Sequence, residues 1–183
     1  DTIHKNKFKV GEIIYTNEEL ISILNIDKNI KYSRTELLGL IAAKEAIKNS
    51  GIKSTEKYKT GLISATSVGG MVNTEKYYLS NNVKDGSIDY VNTHNAVKST
   101  ELIANSLGIK GYISTISTAC SSAANSIMLG ARMIRSKKLD RVIVGGTDSL
   151  AKFTINGFNS LMLLSEKECM PFDANRSGLN LGE

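Results

Sequence analysis

The chain has 183 residues, enough for one domain with a real core or for half of something larger. Hydrophobic residues make up 41% and charged residues 22%, an ordinary globular balance, and no apolar run approaches the length that crosses a bilayer. The formal charge of +5 is spread along the chain and aromatic residues are only 6%, which leaves a nucleic-acid surface of stacked bases without support.

The start, "DTIHKNKFKV", lacks the apolar core of a signal peptide, so a cytoplasmic location is the expectation. The two cysteines, Cys120 and Cys169, are too few for a disulfide scaffold. With His4 and His94 they show no zinc-like spacing, and no structural metal is expected. The basic excess reads first as a solvated surface, and second as a face that greets an acidic partner.

In chain order, "SRTELLGLIAAKEAIKNSG" places Leu37, Leu40, Ile41, Ala43 and Ile47 near one helical stripe. Ser33 with Glu36 reads as its capping box and Gly51 as its stop. "TGLISAT", Thr60 to Thr66, predicts a short buried strand that enters the glycine turn "SVGGM". Asn73 to Thr93 is polar and rich in Tyr and Asn, a loop with a short helix. "NAVKSTELIANSLG" then puts Val97, Leu102, Ile103 and Leu107 on a helical face ended by Gly108. "YISTIST" predicts a strand, Ala123, Ala124, Ile127, Met128, Ala131 and Ile134 a helical stripe, and "RVIVGG" an apolar strand. Strand, helix, strand at this spacing is a βαβ unit with parallel strands. "MPFDANRSGLNLGE" carries turn chemistry and stops on Gly182-Glu183 with no element expected to tie it down, so the chain reads as a piece.

Cys120 falls where the "YISTIST" strand hands over to the next helix. The first N–H groups of a helix lack internal partners and carry partial positive charge. A thiolate is stabilised there, and the same N–H groups can hold the oxygen of a carbonyl under attack. Ala119, Ser121, Ser122, Ala123 and Ala124 are small and let a substrate approach. By itself such a cysteine also fits a small buried hydrophobe.

The wider wording decides between these. "STACSSAANSIMLGARMIRSKKLDRVIVGGTDS" closely resembles the active-site segment of β-ketoacyl-acyl carrier protein synthases, the condensing enzymes of fatty acid and polyketide synthesis. The resemblance continues through "GFNSLMLLS" and "PFDANRSGLNLGE", and upstream through "SATSVGGM" and "NTHNAVKSTELIANSLGIKG", from about Arg34 to Glu183. It implies an α/β, thiolase-like fold with a mixed sheet flanked by helices. Residues 1–183 would form the amino-terminal half, incomplete at both ends.

The resemblance also implies a chemistry. Cys120 takes an acyl group from a carrier-protein thioester, and malonyl carrier protein loses carbon dioxide and extends the chain. The Cys120 N–H would be one oxyanion donor. Val68, in the glycine turn, and Phe158, in "NGF", are the acyl-pocket candidates, with ordinary core packing as the plainer role for each. No cofactor is implied. Two histidines, a lysine and a second oxyanion turn belong to the carboxy-terminal half of the family, so residues 1–183 alone are expected not to condense. The partners implied are acyl carrier protein and a second ketosynthase-type subunit, in a homodimer or heterodimer built on the strand Tyr112 to Ser117.

His94 reads as a surface or interface residue, and Cys169, in "SEKECMPFD", as an incidental thiol. Arg132, Arg135, Lys137, Lys138 and Arg141 read as a solvated helix end or a docking face for acidic carrier protein. Two departures from the family wording stand out: Asp148 where Glu is common, and Ser177 where Asp is common. They bear on loop support and favour a specialised pathway, polyketide or polyene assembly. Two rivals share the fold, a non-catalytic chain-length subunit and a thiolase using coenzyme A thioesters. The cysteine argues against the first, and "TACSSA" with "PFDANRSG" against the second.

Overall fold

A computed structural model describes residues 8–79 and 92–183. His4 and residues 80–91 of the loop with a short helix expected over Asn73 to Thr93 lie outside them. The element order is β1 (Val10–Gly11), α1 (Asn17–Leu24), α2 (Arg34–Ser50), β2 (Thr60–Ala65), α3 (Met71–Leu79), α4 (Val97–Ser106), β3 (Ile113–Ile116), α5 (Ser122–Arg135), β4 (Arg141–Gly146), α6 (Lys152–Ser160) and β5 (Leu181–Gly182). Among the described residues, no helix is long and apolar enough to cross a membrane.

Short-range chemistry fixes the first two helices. The Thr16 and Ser33 hydroxyls accept from the N–H of Glu19 and of Glu36, each at 3.2 Å, and both glutamates return a bond to the cap N–H. These are complete capping boxes, which satisfy two orphan donors each. Gly51 ends α2 at φ +70, the left-handed region that a glycine enters without strain. Leu37, Leu40 and Ala43 of α2 pack with Leu20 and Leu24 of α1, Ile103 and Ala104 of α4, and Leu62 of β2 in one core cluster.

The main sheet has the order β3-β2-β4, with β2 central and all six of its residues buried. Both pairings are parallel, and so is the separate pairing of β1 with β5. The parallel βαβ unit expected from the strand–helix–strand spacing is therefore present, within an α/β, thiolase-like fold. Its cause is connectivity: β2 reaches β3, and β3 reaches β4, through helical crossovers that return each strand in the same direction.

The stripe expected to bury α5 faces the other way. Ile127, Met128 and Ile134 are exposed, and the buried face is Ser122, Ser126 and Gly130. Close approach to the sheet decides this, because a Cβ on Gly130 would stand 2.5 Å from Val144 Cγ1. Of the residues placed on one helical face of α4, Val97 is exposed while Ile103 is buried.

The last residues are not loose. β5 pairs with β1, and the Glu183 carboxylate forms a buried ion pair with Arg34. Glu183 also accepts from the N–H of Ile13 at 3.2 Å and of Leu150 at 3.1 Å. The expectation that no element ties this segment down is overturned by partners more than a hundred residues away, which no local pattern reveals.

Candidate active site

The carboxyl ends of β2, β3 and β4 converge on one cavity. After β3 the chain turns a tight corner and starts α5 at Ser122, with Ser121 at the cap position, so Cys120 lies just before the helix. Ala119 sits at φ +52, a conformation that costs a residue with a Cβ and has to be held by its surroundings. Hydroxyls hold it. Ser122 Oγ donates to the Ala119 carbonyl at 2.6 Å and accepts from Thr118 N–H at 2.8 Å, while Ser121 Oγ donates to the Thr118 carbonyl at 2.7 Å. The small residues beside the cysteine, read in the sequence only as room for a substrate, are also the brace of the corner.

The Cys120 side chain is exposed, and the residue lines a cavity of about 700 Å³. Val68 and Phe158 line the same cavity, with Leu150, Phe153 and Leu161. The three residues singled out in the sequence are thus brought together from three elements.

The turn that carries Val68 follows β2. Its Gly69 and Gly70 pass against the Thr93–His94 backbone so closely that a Cβ would stand 2.5 Å from the His94 carbonyl oxygen and 2.1 Å from that of Thr93. Thr35 Oγ1 donates to the Gly69 carbonyl at 2.8 Å. Asp148, one of the two departures, accepts from Ser67 N–H at 2.8 Å and Val68 N–H at 3.2 Å. Ser177, the other, pairs its hydroxyl with that of Ser165 at 3.0 Å.

Phe158 lies on α6, whose first N–H groups have no side-chain cap from their own segment. Glu75 of α3 supplies it, accepting from Lys152 N–H at 3.1 Å and Phe153 N–H at 2.5 Å.

The remaining candidates lie elsewhere. His94 is exposed, with Nδ1 3.0 Å from Thr74 Oγ1, and lines no part of this cavity. Cys169 is exposed in a loop, borders a separate cavity of about 720 Å³ beside Phe172, and its N–H donates to Asn180 Oδ1 at 2.7 Å. Arg132, Arg135, Lys137 and Lys138 are exposed. Arg141 departs from that group: its guanidinium lies over the Tyr58 ring, 3.8 Å from the centroid, and donates to the Ser54 carbonyl.

Helices packed on a parallel sheet, with an exposed cysteine at a strand-to-helix corner beside an apolar cavity, define a thiolase-like α/β domain. The family model for the β-ketoacyl synthase N-terminal domain matches residues 19–183, and the chain belongs to that family. Nodulation protein E of Rhizobium meliloti (strain 1021) is 30% identical over 167 residues, 87% of this chain and 42% of that protein. The tetracenomycin polyketide synthase ketoacyl synthase alpha subunit of Streptomyces glaucescens is 27% identical over 172 residues, 83% of this chain and 40% of that one. Among solved structures, the ketosynthase ApeO of Xenorhabdus doucetiae, in complex with its chain length factor ApeC, gives a TM-score of 0.70 at 30% identity, over 87% of this chain and 41% of that one. The chain spans about two fifths of the length of the relatives it matches.

Proposed function

We propose that this domain supplies the nucleophile and part of the acyl pocket of a β-ketoacyl-acyl carrier protein synthase. The observation that carries the reading is the placement of the exposed Cys120 thiol, Val68 and Phe158 around one cavity. In the first step Cys120 Sγ attacks the thioester carbonyl of an acyl carrier protein. A sulfur–acyl bond forms, the carrier's sulfur–carbon bond breaks, and the carrier departs as its thiol. In the second step malonyl carrier protein loses carbon dioxide, and the resulting enolate carbon attacks the acyl-cysteine. The new carbon–carbon bond releases Cys120. Covalent catalysis divides one hard condensation into two easier steps, with the Cys120 N–H as the proposed donor to the charge developing on the acyl oxygen.

The surface supports the proposed partners. Among the described residues β3 is an edge strand, and Tyr112, Ile113, Ile127, Met128 and Ile134 are exposed apolar side chains that suit a second ketosynthase-type subunit. Arg132, Arg135, Lys137 and Lys138 offer positive charge to an acidic carrier protein. The pathway class is polyketide or fatty acid synthesis.

The test is acyl transfer. The intact protein is incubated with a mass-tagged acyl carrier protein thioester, and the acyl group is located by peptide mass. Label on Cys120, lost in Cys120→Ala, is expected. Transfer from coenzyme A thioesters alone points to a thiolase, and no label to a non-catalytic chain-length subunit. An electrophile shaped like an acyl chain is expected to modify Cys120 at least about tenfold faster than Cys169, which lies at no helix start.

A further inference from the structure

The turn Thr66–Gly70 carries Val68 to the cavity, and one carboxylate holds it. Asp148 Oδ1 accepts from the Thr66 hydroxyl at 2.6 Å, Ser67 N–H at 2.8 Å and Val68 N–H at 3.2 Å, and Oδ2 accepts from Ser67 N–H at 3.0 Å. Ser67 then donates its hydroxyl to the Ala119 carbonyl at 3.1 Å. Ala119 is the left-handed residue directly before Cys120. A continuous chain of hydrogen bonds therefore runs from the exit of β4, through the turn after β2, to the corner after β3. Hydrogen bonds to an ionised carboxylate are among the stronger ones available to a fold. Asp148, Ser67, Val68, Ala119 and Cys120 all border the same cavity.

We propose that Asp148 is a positioning residue that fixes the spacing between Val68 and Cys120, and thereby the acyl chain length this cavity prefers. The proposal rests on the ketosynthase reading of Cys120 and Val68. The carboxylate acts as a strut of fixed length. Removing it frees two N–H groups and one hydroxyl of the turn, and one extra methylene moves the turn relative to the sulfur. Ser67 is the link from the strut to the nucleophile corner.

The experiment compares the intact protein with Asp148→Ala, Asp148→Glu, Ser67→Ala and Cys120→Ala. Each is given acyl carrier protein thioesters of increasing chain length and, separately, N-alkyl iodoacetamides of increasing tail length. Modification of Cys120 is followed by peptide mass, and thermal midpoints are recorded. In Asp148→Ala the ratio of rates between the best and the worst chain length is expected to fall about tenfold. Asp148→Glu is expected to keep acylation and move the preferred length, and Ser67→Ala to lower the rate while weakening the preference. Should Asp148→Ala not fold, Asp148→Glu and Ser67→Ala decide the matter. A loss shared equally by all chain lengths, with the ratio unchanged, overturns the proposal and leaves Asp148 a purely structural residue. If the wild type takes no acyl group from carrier protein while the tail-length preference of alkylation still moves in the Asp148 variants, the ketosynthase reading fails and the strut stands.

Discussion

Glu36 shows at the scale of one residue how a local device and its surroundings can pull apart. Its Oε2 accepts from Ser33 N–H at 2.6 Å and completes the capping box of α2. Burial nevertheless raises its carboxyl above the ordinary value of 4.5, outweighing the Ser33 hydrogen bonds and the positive charge of Lys98, which act to lower it. A carboxyl raised on folding binds its proton more tightly in the folded state than in the unfolded chain. The stability it contributes is therefore full below 4.5 and is lost as the pH rises through the higher folded value. Glu36→Gln keeps an acceptor for Ser33 N–H and carries no charge. The thermal midpoint of the variant, taken relative to wild type, is expected to improve between pH 4 and neutrality, about the range in which a raised carboxyl titrates. A difference that stays constant with pH would show that the burial of Glu36 is fully compensated by its partners.

Among the elements, α2 and α6 mark the two ends of what the sequence reveals. The Ser33–Glu36 box and the Gly51 stop of α2 lie within its own segment, and the helix is legible from them. α1 carries the same signal within its own segment, Thr16 with Glu19 ahead of "LISIL". α6 has no such signal, because its cap comes from Glu75, 77 residues earlier than Lys152. The strand-to-helix corner at Cys120 and the glycine turn at Val68 are legible from motif and pattern, whereas their braces, Asp148 and Ser67, are fixed only by the fold. The apolar stripe of α5 misleads for a related reason. Periodicity identifies a face, but Ser126 and Gly130, small enough for the sheet to approach, determine which face is inward. The borrowed cap gives a test at this scale. Glu75→Ala is expected to cost about 1 kcal/mol, the usual worth of an N-cap, and to speed amide exchange at Lys152 and Phe153 more than at the centre of α2. Equal exchange rates at those amides in both proteins would mean that packing alone holds the wall that carries Phe158.

At the scale of the whole molecule, the buried pair of Arg34 and Glu183 joins segments that are 149 residues apart. The two side chains are only 7% and 1% exposed. Arg34 Nε donates to Glu183 Oε1 at 2.7 Å, and its guanidinium also donates to the carbonyls of Tyr15 and Ile13 at 2.9 and 2.7 Å. Glu183 in turn holds Leu150 N–H, while Leu150, Leu181 and Gly182 line the cavity beside Cys120. Core packing, the paired terminal strands and the cavity wall are therefore one mechanical unit. Removing either partner strands the other in a buried position, which costs about 3–5 kcal/mol. Arg34→Ala and Glu183→Gln should each lower denaturant stability, by up to that amount for the arginine and by less for the isosteric glutamine. The double variant should lose less than the sum, because the second change removes a group already deprived of its partner. Both single variants should also slow alkylation of Cys120, through release of Leu150 and β5 from the cavity wall. Additive losses with unchanged alkylation would separate the ends of the chain from the site. A coupling energy of about 1 kcal/mol or more, with slowed alkylation, would tie the stability of the terminal strands to the shape of the acyl cavity.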